Sequence, residues 1–146
     1  MKHVLVVGAL VSAFALPVSL FAQTSAPAAG AALGSVTLKT AVMANGQRLA
    51  AGTYQVRLTG DTPKPGVGQS PEAERYVEFV RGGKVVGREV ATIVPQAEIG
   101  QVVNPNSPRP AAGGARVEML KGDDYVRVWI NRSGMNYLVH LPPAKG

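Results

Sequence analysis

The chain has 146 residues, with 15 lysines and arginines against 9 acidic residues, and it contains no cysteine. The lack of cysteine excludes disulfides, thiol catalysis, thiolate metal sites and a lipid attached through cysteine. The formal net charge of +6 favours anionic partners. However, no run of three or more charges occurs, and scattered charge is typical of a solvated surface.

The first 22 residues have the features of a secretory signal. A short basic start, Lys2-His3, precedes a mostly apolar stretch at 4–21. Cleavage is expected after Ala22, with Ala26 as a second site, and the signal looks prokaryotic. A retained membrane anchor is the alternative, since about 18 to 20 apolar residues can span a bilayer. We expect an exported protein, periplasmic or secreted, with no transmembrane segment in the mature chain.

The domain itself is expected at residues 35–146. Residues 23–34 consist mainly of Ala, Gly, Ser, Thr and Pro and predict a flexible lead-in. From Ser35 to Val42, apolar and polar residues alternate with the period of a half-buried strand. Asn45-Gly46 then predicts a tight turn, because both residues tolerate positive φ.

The following strand should place alternate side chains on opposite faces of a sheet. Its apolar residues are Tyr54, Val56 and Leu58. The stretch from Leu49 to Val56 resembles a motif, Leu-x-Ala-Gly-Thr-Tyr-x-Val, of secreted bacterial β-sandwich domains. These include prealbumin-like and carboxypeptidase-regulatory-like modules and many uncharacterised exported proteins. The resemblance covers this stretch alone, implies a β-sandwich and brings no catalytic residue.

Two loops rich in Pro and Gly are predicted at 60–75 and 95–114. In the first, Ser70-Pro71-Glu72 could cap one helical turn. The second is long enough to be functional or mobile, and it could contain a short strand near 98–103.

The clearest predicted hairpin joins the strands 76–81 and 84–94 through Gly82-Gly83. A two-residue turn there places Val80 opposite Val85 and Phe79 opposite Val86.

The C-terminal third predicts three further strands, at 116–121, 125–131 and 135–141. Asn131-Arg132-Ser133-Gly134 fits a type I turn closed by a left-handed glycine. That turn pairs Asn131 with Met135, Trp129 with Tyr137 and Val128 with Leu138. With no helical period of useful length, the predicted fold is an all-β, single antiparallel β-sandwich of seven or eight strands. A small β-barrel is the alternative.

The residues of the domain do not suggest catalysis or metal binding. His140 is its one histidine, and a lone strand histidine is usually structural. Asp123-Asp124 lies near Glu118 but lacks the spaced oxygen ligands of a calcium site, and it suits a hairpin turn. No serine stands in a nucleophile elbow. We therefore expect no enzyme activity, no metal and no cofactor.

A binding surface is suggested by four residues of the final hairpin. In the predicted register, Tyr125, Arg127, Trp129 and Tyr137 share one face. If that face is exposed, its rings and guanidinium could bind a glycan or a planar or cationic group. The alternative is that the rings are buried for structural reasons.

Two functional hypotheses follow from these features. The first is an exported, non-catalytic binding or assembly module of the cell envelope, whose partner is an envelope protein or a glycan. Nucleic acid is not an expected partner of an exported chain. The second is a small β-barrel that carries an apolar ligand in its interior.

Overall fold

The computed structural model of the chain describes residues 28–68 and 73–145. The predicted signal, the first part of the lead-in and the predicted helical turn at Ser70-Pro71-Glu72 lie outside the described residues. The first strand begins at Ala32, three residues before the expected start of the domain at Ser35. The end of the predicted lead-in therefore belongs to the sheet.

The described residues form nine β-strands and one short α-helix. In chain order they are β1 (Ala32–Leu38), β2 (Val42–Ala44), β3 (Gln47–Leu49), β4 (Gly52–Leu58), β5 (Glu74–Arg81), β6 (Lys84–Pro95), α1 (Ile99–Val102), β7 (Ala115–Met119), β8 (Val126–Arg132) and β9 (Met135–Leu141). The prediction of an all-β fold is confirmed.

Seven of the strands form one antiparallel sheet in the order β1-β4-β5-β6-β9-β8-β7. The sheet curls until its edge strands, β1 and β7, come into contact. Because every pair of neighbours is antiparallel and seven is odd, the two edge strands run in the same direction. The contact nearly closes the sheet into a barrel, but among the described residues no hydrogen-bonded ladder joins β1 to β7, so the closure is incomplete. The antiparallel strands expected from the sequence are present, and β2–β3 forms a second, small sheet.

Strand β4 shows why these segments are strands. Tyr54, Val56 and Leu58 are buried, while Thr53, Gln55 and Arg57 face outward. This alternation was predicted, and it follows from the two-residue period of a strand with one face on the core. The buried set packs against β1 and β5, with Val56 opposite Phe79.

The small sheet closes one end of the curled sheet. Asn45 and Gly46 both have positive φ, 45° and 83°, and form the predicted tight turn between β2 and β3. The alternating stretch from Ser35 to Val42 is interrupted after Leu38, so it forms β1 and β2 rather than one strand. The Met43 amide donates to the Pro142 carbonyl at 2.8 Å, which fastens the hairpin to the chain beyond β9.

The β5–β6 hairpin turns at Gly82-Gly83 as predicted, and Val80 lies opposite Val85. The next predicted pair is wrong, because Phe79 lies opposite Gly87 and the register shifts between Phe79 and Val80. The shift brings a glycine under the β2–β3 hairpin. A Cβ atom on Gly87 would lie 2.9 Å from Cδ2 of Leu49, so the absence of a side chain allows the small sheet to pack closely.

The apolar side chains form two clusters on opposite faces of the large sheet. The first fills the inside of the curled sheet and includes Phe79, Val128 and Leu141. The second lies on the outer face of β8 and β9. It contains Val94, Ile99, Val103, Trp129 and Leu138.

The second cluster exists because the long loop after β6 folds back over the sheet. Its helix α1 places Ile99 against the outer face, where Ile99 is fully buried. The short strand considered near 98–103 is therefore a helix. Backbone bonds between Asn131 and both Gly113 and Gly114 hold the end of this loop in place.

Candidate functional site

The register of the final hairpin decides which of the predicted site residues lie together. Ser133 and Gly134 form a two-residue turn with φ of 53° and 75°, so Arg132 lies opposite Met135. The predicted register, which assumed a three-residue turn, is wrong by one residue. A shift of one residue reverses the faces of a strand. Trp129 consequently lies opposite Leu138 on the outer face, and Tyr137 faces the interior.

The four predicted site residues do not form one exposed surface. Tyr125 is 45 % exposed and meets the ring of His140 edge-on, with the centroids 6.3 Å apart. Arg127 is buried, with its guanidinium 5.3 Å from the centre of the Trp129 ring. Trp129 is fully buried under the long loop, and Tyr137 belongs to the inner cluster. Of the four, only Tyr125 is available to a partner.

A buried polar group explains how Trp129 is held. Its indole Nε1 donates to Oδ1 of Asn136 at 2.7 Å. Nδ2 of Asn136 donates in turn to Oε1 of Gln96 at 2.8 Å, which ties the long loop to the sheet. The indole is therefore a structural anchor for the loop.

Beside the indole lies a partly buried charge network. Glu118 accepts hydrogen bonds from Arg127 and, at 3.3 Å, from Arg116. Burial pushes the pKa of Glu118 upward, but the hydrogen bonds and charges of both arginines outweigh it and leave the pKa below its usual value. Partial desolvation of the ring lowers the pKa of His140, and the charge of Arg127 lowers it further. The lowered pKa values favour a charged carboxylate on Glu118 and a neutral imidazole on His140.

One cavity lies at the end of the sheet opposite the β2–β3 hairpin. Its volume is about 200 Å³, and its walls include Ala28, Leu33, Arg132 and Tyr137. Burial raises the pKa of Tyr137. The phenol there stays protonated, and the cavity suits no more than a small ligand.

A second cavity follows from the incomplete closure of the sheet. It has a volume of about 190 Å³ and lies between the end of β1, at Lys39-Thr40, and β7. Its walls are mostly apolar, from Val117, Met119 and Val126, with Lys39 and Glu118 also lining it. We call it the seam cavity.

The seam cavity opens at what we call the hairpin end. This end is formed by residues 39–51, residues 81–86, residues 119–125 and residues 142–145. The strand registers bring these segments together, since Leu38 pairs with Gly52, Val126 pairs with Leu141, and Val42 bridges to Pro143. Segments that are far apart in the sequence therefore share one surface.

Cationic residues gather at the hairpin end. Six of them are exposed: Lys39, Arg48, Arg81, Lys84, Lys121 and Lys145. The acidic residues of the same end are Asp123 and Asp124, Glu89, which accepts a hydrogen bond from the Asn45 amide, and Glu118, which lines the seam cavity. None of the six cations takes part in an ion pair among the described residues, whose pairs involve Arg57, Arg88, Arg116 and Arg127. The hairpin end is thus a positively charged surface.

Apolar side chains are exposed at the same end. Val85 and Val86 are 48 % and 37 % exposed, and Met119 and Tyr125 are 43 % and 45 % exposed. The other exposed large apolar residues of the described chain lie toward the opposite end: Val67, in the loop after β4, is fully exposed, and Val102, in α1, is 54 % exposed. The hairpin end therefore combines positive charge with apolar contact area.

The described residues show no group of three or more His, Asp or Glu that could hold a metal ion. In the same part of the chain, no helix is long and apolar enough to cross a bilayer.

Comparisons of the chain with protein-family models, curated proteins and solved structures gave no match. The resemblance of Leu49 to Val56 to secreted sandwich modules stays an expectation. In the structure these residues form the end of β3, the turn into β4 and the first five residues of β4.

The hairpin end was missed in the sequence because its charges are scattered along the chain. Arg48 and Lys121, for example, are separated by most of the domain. The usable signal was their position: five of the six cations lie in or beside a segment that connects two strands at the same end of the sheet, and Lys145 follows the last strand at that end.

Proposed function

We propose that the protein is an exported, non-catalytic binding or assembly module of the cell envelope and that the hairpin end is its contact surface. One observation carries the proposal. Six exposed cations that form no ion pair with any described residue lie at this end with four exposed apolar side chains, whereas the inside of the sheet is packed with apolar side chains. Exposed apolar groups concentrated at one place often mark interaction sites.

The chemistry of the surface suits an anionic partner. Unpaired lysines and arginines attract anions over the Debye length and speed their association. The secretory signal predicted at residues 1–22 supports export, and the envelope outside the cytoplasm offers anionic proteins, glycans and lipids as partners.

The curled sheet also gives the carrier hypothesis a suitable architecture. Ligand pockets usually measure about 300 to 1,000 Å³. The cavities of about 200 Å³ and 190 Å³ are smaller than that range. A binding surface is therefore the better supported role.

The proposal is tested by capture from envelope extract. The protein is expressed with its own leader, purified after export and immobilised, and the retained material is assayed for protein, phosphate and uronic acid. A charge-reversal variant, Arg48→Glu with Lys84→Glu, removes positive charge from the hairpin end. The matched control, Lys64→Glu with Arg109→Glu, makes the same change in exposed loops at the opposite end.

We expect the unchanged protein and the control variant to retain the same material and the hairpin-end variant to lose it. Equal retention by both variants, or none by the unchanged protein, would show that the hairpin end is not the contact surface. Far-ultraviolet circular dichroism on each variant verifies that the comparison is made between folded proteins.

A further inference from the structure

The hairpin end has a shape and composition that narrow the class of partner. Its cations come from four separate segments, so they are spread over a surface rather than aligned along one strand. A planar array of negative charge can meet such a surface at many points at once. Each lysine or arginine near an anionic bilayer contributes about 1 kcal/mol of attraction.

The exposed apolar side chains argue against a purely ionic partner. Val85 and Val86 follow the Gly82-Gly83 turn, beside Lys84. Tyr125 directly precedes β8 at the same end. A tyrosine between an apolar and an aqueous phase is well placed at a membrane interface. An anionic polysaccharide would leave the valines in contact with water.

The seam cavity adds an apolar recess at the same end. Val117, Met119 and Val126 line it together with Lys39 and Glu118, and the charge of Glu118 is balanced by its ion pairs with Arg127 and Arg116. This pairing of an ammonium group with an apolar recess matches an amphiphile that has an anionic head.

We infer that the hairpin end binds the surface of an anionic lipid bilayer, with its cations on the headgroups and its exposed valines, Met119 and Tyr125 at the acyl boundary. The inference rests on the proposed function, because it takes the same surface as the contact site. It goes further by naming the partner as a lipid surface.

The test is flotation with lipid vesicles. One set contains about one quarter phosphatidylglycerol in phosphatidylcholine, and the other contains phosphatidylcholine alone. The proteins are the unchanged chain purified after export, the hairpin-end variant Arg48→Glu with Lys84→Glu, and the control Lys64→Glu with Arg109→Glu. A further variant, Val85→Thr with Val86→Thr, keeps the side-chain shape and removes apolar surface.

We expect the unchanged protein and the control to float with the anionic vesicles alone and to be released by salt. The hairpin-end variant should partition at least roughly thirtyfold less, because two attractions of about 1 kcal/mol each are lost and the two new carboxylates are repelled by the anionic lipids. The valine variant should bind more weakly than the unchanged protein at the same lipid charge.

Three results would overturn the inference: equal binding to both vesicle types, equal binding by the two charge variants, or no binding to vesicles. Retention on alginate beads without vesicle binding would assign the hairpin end to an anionic polysaccharide. In that case the proposed function would stand while the lipid surface would be rejected. If the unchanged protein retained no material from envelope extract, the proposed function itself would be rejected.

Discussion

Nε1 of Trp129 donates a 2.7 Å hydrogen bond to Oδ1 of Asn136, and both side chains are buried on the outer face of the sheet. Asn136 also donates to the side chain of Gln96 and, at 3.4 Å, to the carbonyl of Val94. One amide therefore connects β8, β9 and the start of the long loop. Because a buried polar group without a partner is costly, this connection fixes where the loop lies.

Replacing Asn136 with alanine should destabilise the protein. Asn136→Ala leaves the indole N–H of Trp129 buried without an acceptor, and we expect the free energy of unfolding to fall by about 1–3 kcal/mol. Urea denaturation measures the change. Asn106→Ala, at an exposed position of the same loop, is the control and should stay within about 0.5 kcal/mol of the unchanged protein. Equal effects would show that the amide is not the anchor.

The burial of Trp129 predicts its fluorescence directly. It is the only tryptophan of the chain, and it is 0 % exposed. The native protein should emit at short wavelength and resist quenching by acrylamide, and both properties should change together on unfolding. Strong quenching in the native state would contradict the placement of the long loop over the indole.

Gly87 should not tolerate a side chain. In Gly87→Ala the new Cβ would lie 2.9 Å from Cδ2 of the buried Leu49. We expect a loss of about 1–3 kcal/mol, as in other overpacked cores. Adding Leu49→Val should recover part of it, which a double-mutant cycle would detect. Gly100→Ala, whose Cβ would face the mobile end of Arg109 at 3.4 Å, is the control and should cost nothing.

His140 should make the protein less stable in mild acid. Partial desolvation of the ring, followed by the charge of Arg127, lowers the pKa of His140 in the folded state. As the pH falls through about 6.5, the unfolded chain binds a proton that the folded chain still resists, so stability falls. In His140→Gln, this part of the pH dependence of the free energy of unfolding should disappear. An NMR titration of the His140 ring that gave a raised pKa would contradict the assignment.

Most of the strands could be predicted because their alternation and turns are local properties. Tyr54, Val56 and Leu58 lie on the core side as expected, and Asn45-Gly46 turns as expected. The strands 116–121, 125–131 and 135–141 were placed within one or two residues of β7, β8 and β9.

The candidate site could not be predicted, because it depends on register and on distant contacts. Asn131-Arg132-Ser133-Gly134 is compatible with a turn of two or three residues, and a choice between them moves Tyr137 from one face to the other. The four-residue helix α1 is too short to show a period, and its place over Trp129 depends on tertiary packing. Arg48 and Lys121 lie at the same end of the sheet only because of the strand order, which the sequence alone does not show.

The unjoined edges of the large sheet give its strands unequal protection. Strand β9 has a hydrogen-bonded neighbour on each flank, whereas β1 and β7 each have one, among the described residues. Backbone amides that point into the space between β1 and β7 should therefore exchange with deuterium well before those of β9. Thermal fluctuations should therefore widen the gap between β1 and β7 first. The seam cavity beside Lys39 would then be the most deformable part of the large sheet.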